Sequence, residues 1–181
     1  MQIFVSGTWK PEKAEQYADD ARRLGGLLAR EGFDLACGPG TGIARHVIDG
    51  YREARERGVV RYYLPSREHM DAVGETVELG FDELIETDYD YPMRNVWQVG
   101  QSQGVFVLTG GDGTLEEVLP ALIDYRLPVA IVEGSGSAAV AVKRLTDIYP
   151  EWNELLMFGE AVDELAQQFV ATVRLSASRR R

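Results

Sequence analysis

The stretch Val105-Phe-Val-Leu-Thr-Gly-Gly-Asp-Gly-Thr-Leu-Glu-Glu117 joins a short apolar segment to a glycine turn and then to a helix-forming segment. Its first four residues, 105–108, are apolar without a break, which is typical of a strand buried on both faces of a parallel sheet. Three of the next five residues are glycines, which allow backbone conformations and close approaches that a side chain would block. The pattern predicts a strand, a tight turn and a helix, in that order.

The start of this helix has the features of an anion site. We expect the helix to begin at Leu115, with Thr114 as its N-cap residue. The unpaired N–H groups of a first helical turn bind anions, and the helix dipole also favours the nearby carboxylates of Glu116 and Glu117. The candidate phosphate-binding residues of this turn are Gly110, Gly111, Asp112, Gly113 and Thr114. An ordinary structural turn would show the same pattern, so the turn alone leaves both interpretations open.

Composition limits the class of protein. The chain has 181 residues, of which 45% are hydrophobic, and a formal net charge of −10. This length suits one domain with a substantial core, which we place at residues 1–175, followed by a disordered tail at 176–181. The negative charge argues against a nucleic-acid partner, because phosphate backbones are bound by excess Lys and Arg. A small anionic ligand stays open, since it needs only a local positive site.

The sequence also predicts a cytoplasmic location. Cys37 is the single cysteine, so the chain has no internal disulfide and suits a reducing compartment. No stretch approaches the roughly 20 apolar residues that cross a membrane, and we expect no membrane partner. Strand-like residues follow Met1 directly, so we expect no signal peptide.

Strand-like and helix-like segments alternate along the chain. The predicted strands are 3–5, 33–37, 59–64, 105–108 and 128–132, with 155–158 as a candidate edge strand. The predicted helices are 10–30, 43–57, 93–103 and the one after residue 114, whereas 66–91 shows no clear pattern. This alternation predicts right-handed crossovers, and therefore a Rossmann-like three-layer α/β sandwich with a central parallel β-sheet flanked by helices.

Ligands of such sheets bind outside the carboxyl ends of the strands, where we expect several glycine turns to meet. The candidate residues from the first two turns are Gly7, Gly38, Gly40, Thr41 and Gly42. The turn at 38–42 is not a dinucleotide fingerprint, because the required third glycine is replaced by Arg45, and no Walker-type Lys follows it. It is either a plain tight turn or a source of backbone donors for phosphate or ribose.

Arg94 is a further candidate. It follows Pro92 and Met93 at the start of a predicted helix that leads directly into the strand at 105–108. Its planar guanidinium is a fork of donors that suits phosphate or carboxylate, although most arginines are simply solvated. Asn95, the next residue, could add a polar contact.

These motifs resemble the LONELY GUY (LOG) family of Rossmann-like nucleotide-binding proteins, which are often mislabelled as lysine decarboxylases. The family motif Pro-Gly-Gly-x-Gly-Thr-x-x-Glu matches residues 109–117, except that Thr109 stands in place of the proline. A second family motif, Met-His-x-Arg-Lys, corresponds to the region of Arg94 and Asn95. There the arginine is kept, the lysine is replaced by Asn95, and the histidine is missing. The family's glycine loop corresponds to residues 38–42, where only three of its glycines remain.

The resemblance implies hydrolysis of the base–ribose bond of a nucleoside 5′-monophosphate, such as a cytokinin ribotide, to free base and ribose 5-phosphate. Glu117 would stabilise the positive charge that develops on the ribose, with Glu116 as the alternative. Arg94 would be the family's catalytic arginine, and the turn at 110–114 would hold the 5′-phosphate. The departures at Asn95 and in the glycine loop are also compatible with a non-catalytic nucleotide-binding or sensing protein, and a role mainly in assembly is a third alternative.

We expect neither a metal nor a cofactor. His46 and His69 are isolated, and Cys37 has no base visible in the sequence, so we interpret all three as structural. Pyridoxal phosphate would need a lysine beside a glycine turn. The three lysines are not placed there, which argues against a lysine decarboxylase: Lys10, Lys13 and Lys143.

The resemblance also implies a homodimer. The apolar face of the helix after the glycine turn is a candidate for the contact, although it could equally be buried within one subunit. This face consists of Val118, Leu119, Leu122 and Ile123.

Overall fold

The computed structural model describes residues 1–39, 41–77 and 80–179. Seven parallel strands form one sheet in the order β4-β3-β2-β1-β5-β6-β7, flanked by helices, which confirms the predicted Rossmann-like fold. The strands are β1 (Gln2–Gly7), β2 (Asp34–Cys37), β3 (Val60–Leu64), β4 (Glu83–Glu86), β5 (Val105–Leu108), β6 (Val129–Val132) and β7 (Leu156–Gly159).

Helices connect the strands and cover both faces of the sheet. They are α1 (Pro11–Ala14), α2 (Ala18–Arg30), α3 (Ile43–Arg52), α4 (Arg67–Val73), α5 (Tyr91–Gly100), α6 (Asp112–Ile123), α7 (Ser137–Leu145) and α8 (Val162–Arg179). Short 3₁₀ helices occupy Glu15–Tyr17 and Pro150–Glu154. None of the helices in the described part of the chain is long and apolar enough to cross a membrane.

The sheet divides the core into two halves. Alternate residues of the central strand β1 point to opposite faces, so that Ile3 and Val5 pack with α2, α3 and α8, whereas Phe4 packs with α5, α6 and α7. Both faces of β5 and β6 are fully buried, as expected for parallel strands between two helical layers. The long apolar run of β5 therefore reflects its position beside β1 in the middle of the sheet.

Several boundaries differ from the predicted ones. The first predicted helix is divided by the 3₁₀ turn Glu15–Tyr17, and α3 ends at Arg52 instead of residue 57. Four of residues 53–57 are charged, and only Ala54 among them packs against the core, while Arg57 forms a salt bridge with Asp82 just before β4. α8 continues to Arg179, so residues 176–179 of the expected tail are helical.

The segment without a clear pattern, 66–91, contains α4 and the edge strand β4. β4 pairs only with β3, and its residues are mostly exposed. An edge strand exposed to solvent needs no apolar alternation, which explains why the sequence did not indicate it.

Two glycines bring α2 and α3 unusually close together. A Cβ at Gly25 would lie 2.1 Å from the carbonyl oxygen of Val47, and a Cβ at Gly50 would lie 2.0 Å from that of Arg22. These neighbours are backbone atoms of another helix, so the helices would have to separate to accept any side chain.

Substitution Gly50→Ala is therefore expected to lower the free energy of unfolding by about 1–3 kcal/mol, the usual range for overpacking. Gly26→Ala is the matched control on α2, because its Cβ would first meet the flexible end of Arg30 at 3.2 Å. The control should be neutral or stabilising by up to about 1 kcal/mol, since alanine favours helix. Urea unfolding of both variants measures the difference, and equal stabilities would contradict the close packing.

Candidate functional site

The carboxyl ends of β1 and β5 meet in the middle of the sheet, where the chain order reverses direction. From β1 the strands run outward through β2, β3 and β4, and the chain then returns to β5 on the other side of β1. Such a reversal opens a crevice that ligands occupy in open α/β sheets. Gly7 lies at this point, and a Cβ there would stand 2.8 Å from the Leu108 carbonyl oxygen and 2.9 Å from Ile43. Glycine at position 7 is thus required by packing.

Helix α6 begins at the crevice, three residues earlier than predicted. Its first residue is Asp112 and its N-cap is Gly111, which makes no side-chain capping hydrogen bond. Thr114 is therefore inside the first turn, and its assignment as the N-cap was wrong. The buried Thr114 side chain instead packs over Gly110, where a Cβ would lie 2.0 Å from its hydroxyl oxygen. Because Thr114 does not cap the helix, the first-turn N–H groups are left to other acceptors.

Two glycines of this turn are not explained by contacts among the residues that the structure describes. A Cβ at Gly113 would have no heavy atom within 4 Å, and a Cβ at Gly111 would first meet the Ser137 hydroxyl at 3.6 Å. Glycine within a helix costs about 1 kcal/mol relative to alanine. Gly113 therefore leaves open space at the start of α6 at a cost in stability.

Thr109, the residue before this turn, has a backbone conformation that the proline of the LOG motif could not adopt. Thr109 has a φ of +67°, whereas the ring of proline holds φ near −65°. The Thr109 N–H donates to the Ser135 hydroxyl at 3.1 Å, a bond that proline also lacks the hydrogen to make. The hydroxyl of Ser135 in turn donates to the Val132 carbonyl at 2.7 Å, which links this turn to the one after β6.

The second predicted glycine turn contributes less. Gly42 has a φ of +57°, and a Cβ there would lie 2.1 Å from the Thr8 carbonyl oxygen, so packing explains this glycine. A Cβ at Gly38 would have open space around it, and Thr41 is partly exposed. Gly40 lies outside the described residues.

Glu117 is held at the centre of the site. The Ser6 hydroxyl, at the end of β1, donates to Oε2 of Glu117, and the Gln98 amide nitrogen on α5 donates to Oε1 at 3.1 Å. Burial of the carboxyl group raises the pKa of Glu117 from 4.5 to about 7, although the Ser6 hydrogen bond and the charge of Arg94 act in the opposite direction. Both carboxylate oxygens thus have protein donors, and the group is only partly ionised at neutral pH.

Glu116, the alternative catalytic residue, lies on the exposed side of α6. Its Oε2 accepts a hydrogen bond from the Asn95 amide nitrogen at 3.1 Å. Asn95 is buried, and its Oδ1 has no partner among the described residues. The structure therefore joins Asn95 to α6 and leaves one of its polar atoms available.

Arg94 is buried, with 5% of its surface exposed. Its Nη1 donates to the Tyr63 carbonyl oxygen at 3.1 Å, and its guanidinium lies 5.4 Å from the ring centroids of both Tyr62 and Tyr91. Its buried Nε has no hydrogen-bond partner in the part of the chain that the structure describes. A buried cationic donor without a partner is costly, so this N–H is available to an acceptor from outside the protein.

The structure brings Arg94, Asn95, Glu116 and Glu117 together with α6, as the sequence suggested. The sequence did not indicate the residues that hold them. Ser6 could have been found, because it is a polar residue at the end of a buried strand, and Gln98 lies one helical turn after Arg94. No sequence pattern indicated Tyr62 or Tyr91.

Within the described ranges, no group of three or more His, Cys, Asp or Glu side chains is placed to hold a metal ion.

Sequence comparison places this α/β protein in a family. The profile of the SLOG cluster4 family matches residues 1–155, and the chain belongs to that family. No functionally curated protein matches the sequence. Membership of the LOG branch stays a prediction.

Solved structures with the same fold cover nearly the whole chain. The Moco carrier protein from Chlamydomonas reinhardtii is 23% identical, with a TM-score of 0.74 and 98% of each chain covered. The molybdenum cofactor binding protein from Rippkaea orientalis is 22% identical, with a TM-score of 0.71 and coverage of 96% of this chain and 95% of that one. TM1055 is 23% identical, with a TM-score of 0.73 and coverage of 92% and 96%. At these identities the similarity shows the fold.

The raised pKa of Glu117 makes stability depend on pH. Below about pH 4.5 this carboxyl is protonated in both the folded and the unfolded chain. Between 4.5 and about 7 the unfolded chain loses the proton while the folded chain keeps it, so the contribution of Glu117 to stability falls as pH rises. Substitution Glu117→Gln should therefore raise the melting temperature above pH 7 by several degrees, at about 2–4 °C per kcal/mol. This gain should shrink towards zero near pH 4.5.

Thermal unfolding of Glu117→Gln and of the wild-type protein at pH 8, 6 and 4.5 tests this dependence. Glu116→Gln is the comparison on the same helix: the charge of Glu116 is one of the smaller causes that raise the pKa of Glu117, so its removal should change the melting temperature less than Glu117→Gln does. A gain for Glu117→Gln that does not change with pH would contradict a raised pKa.

Proposed function

We propose that the protein binds a small molecule carrying a phosphate group, with the phosphate on the first turn of α6. The observation that carries this proposal is the open space at Gly113, where no contact with the described residues requires glycine. The N–H groups of this turn have no acceptor within the helix, and the helix dipole favours an anion there. A Cβ at Gly111 would meet only the Ser137 hydroxyl among the described residues, so this glycine adds to the open space beside the first turn of α6.

Arg94 supports the proposal from the other side of the site. The Nε of Arg94 is a buried donor without a partner among the described residues. The charge of Arg94 also lowers the pKa of Glu117, which lies on α6. A phosphate or ribose oxygen would satisfy this donor. The LOG resemblance supports a nucleoside 5′-monophosphate as the ligand, with Gly110, Gly111, Gly113 and Thr114 around the phosphate.

Binding without turnover is better supported by the geometry than hydrolysis is. A carboxylate that stabilises a developing positive charge on ribose has to be ionised and free to face the substrate. Each oxygen of Glu117 instead accepts a hydrogen bond from the protein, from Ser6 and from Gln98, and its pKa of about 7 leaves it partly protonated. The names of two structural relatives, which refer to binding or carrying the molybdenum cofactor, also support a binding function and add that cofactor to the ligands worth testing.

Hydrolysis of the N-glycosidic bond is the second candidate. The proximity of Arg94 to Glu117 favours it, since the arginine lowers the pKa of this carboxyl and a substrate with developing positive charge would lower it further. In this reaction Arg94 would contact the ribose or the leaving base, while Glu117 would stabilise the ribose cation.

Substitution Gly113→Ala separates binding from stability. The added methyl group occupies the space assigned to the ligand, so we expect affinity for adenosine 5′-monophosphate and ribose 5-phosphate to fall about tenfold or more. The same substitution should leave stability unchanged or raise it by up to about 1 kcal/mol. Titration calorimetry and urea unfolding measure the two effects. Gly26→Ala, on the other face of the sheet, should keep wild-type affinity.

The same proteins are also incubated with a panel of nucleoside 5′-monophosphates and assayed for free base, and the molybdenum cofactor is included in the binding assays. We expect binding without release of base. Release at ordinary turnover rates that Glu117→Gln abolishes would assign hydrolysis as the function. Unchanged affinity of Gly113→Ala for every ligand that binds would refute the phosphate position on α6.

The homodimer is also a proposal. On the candidate face of α6, Val118 and Leu122 are fully buried within the subunit, whereas Ile123 is 56% exposed. We therefore expect any contact between subunits to involve Ile123. Sedimentation should show a dimer at micromolar concentration that Ile123→Glu dissociates, and a monomeric wild-type protein would argue against this interface.

A further inference from the structure

Arg94 is enclosed between two tyrosine rings. Its guanidinium lies 5.4 Å from the ring centroid of Tyr62 on β3 and 5.4 Å from that of Tyr91 at the start of α5. Both distances are within the range of about 6 Å in which a cation is attracted to the face of an aromatic ring. The positions of these rings therefore determine where the guanidinium can lie.

One carboxylate holds both rings. The Tyr62 hydroxyl donates to Oε1 of Glu75, and the Tyr91 hydroxyl donates to Oε2 at 2.7 Å. Burial, together with the hydrogen bond to Glu75, raises the pKa of both tyrosines, so both remain protonated donors at neutral pH. These two hydrogen bonds to one carboxylate hold the hydroxyl ends of the two rings in position relative to each other.

Glu75 reaches Arg94 only through these tyrosines. Within the described residues no salt bridge joins Glu75 to Arg94, and both oxygens of Glu75 already accept hydrogen bonds from the tyrosines. The ring of Tyr62 is also stacked on that of Phe81, with ring centroids 5.2 Å apart, and this contact helps to hold the Tyr62 ring in place. The arrangement is a chain of contacts from a carboxylate, through two rings, to a buried guanidinium.

We propose that Glu75 is a positioning residue of the ligand site: it orients Tyr62 and Tyr91, which in turn hold Arg94 in the conformation that meets the ligand. This inference rests on the proposed function, because it assumes that Arg94 contacts the ligand. Without Glu75 the hydroxyl ends of the two rings lose their common acceptor and can shift, so that Arg94 samples several conformations that binding has to restrict again.

A double-mutant cycle tests the proposal, with adenosine 5′-monophosphate as the probe and affinity measured by titration calorimetry. We expect Arg94→Ala to weaken binding about tenfold or more and Glu75→Ala to weaken it several-fold. The double variant should bind no more weakly than Arg94→Ala alone, because Glu75 acts through Arg94. Losses that add fully would overturn the proposal.

Two further variants separate positioning from damage to the fold. Glu75→Gln retains polar groups that can bond the tyrosine hydroxyls, so we expect it to restore most of the affinity that Glu75→Ala loses. Glu68→Ala, at an exposed position on α4 in the same connection, should bind like the wild-type protein. Equal losses in Glu75→Gln and Glu75→Ala would contradict positioning through hydrogen bonds.

A measurement without ligand keeps this inference distinct from the proposed function. The Nε–H signal of Arg94 in an NMR spectrum, assigned with Arg94→Lys, should be sharp and protected from exchange in the wild-type protein and should broaden or vanish in Glu75→Ala. If it does so while the probe fails to bind the wild-type protein, the proposed function is wrong but Glu75 still positions Arg94. An unchanged signal in Glu75→Ala would overturn the positioning role whatever the ligand.

Discussion

The pairing of β1 with β5 is the contact on which the rest of the structure depends. These strands are about a hundred residues apart in the chain, yet Ser6 pairs with Val107 and Gly7 with Leu108 in the centre of the sheet. The paired strands lie at the centre of both halves of the core. Helices α2, α3 and α8 cover one face of them, and α5, α6 and α7 cover the other. It also places the Ser6 hydroxyl against Glu117, so the same register that completes the fold assembles the site.

The site is organised around two buried ionisable groups that the protein satisfies in different ways. Glu117 accepts hydrogen bonds at both oxygens and, because it is buried, holds its proton up to about pH 7. Arg94 cannot lose its charge, and its environment supplies two ring faces, one carbonyl oxygen and the nearby carboxyl group. One donor of Arg94 has no partner in the part of the chain that the structure describes. Each oxygen of the carboxyl group thus already has a protein donor, whereas the guanidinium retains a buried N–H that an outside acceptor would satisfy.

The departures from the LOG motifs have physical counterparts in the structure. Thr109 adopts a left-handed conformation that proline cannot, and its N–H ties the first glycine turn to Ser135. Asn95, in place of a lysine, is buried against α6 and adds no positive charge to the site. Around the buried Arg94, the described part of the chain thus differs from the LOG motifs in both charge and turn conformation.

The sequence by itself determined the alternation of strands and helices and the parallel sheet, and it predicted the sheet edge at which we propose that a ligand binds. These features follow from local patterns: unbroken apolar runs for buried strands, and glycine turns at their ends. It also indicated Arg94 and Glu117. The tertiary structure alone decided what surrounds them, since Ser6, Gln98 and Glu75 come from distant parts of the chain and meet only when the strands pair. It also decided that Thr114 packs over Gly110 instead of capping α6, which begins three residues earlier than predicted. The turn before α6 is joined to the turn after β6 by the hydrogen bond from Thr109 to Ser135, and no local pattern records that contact.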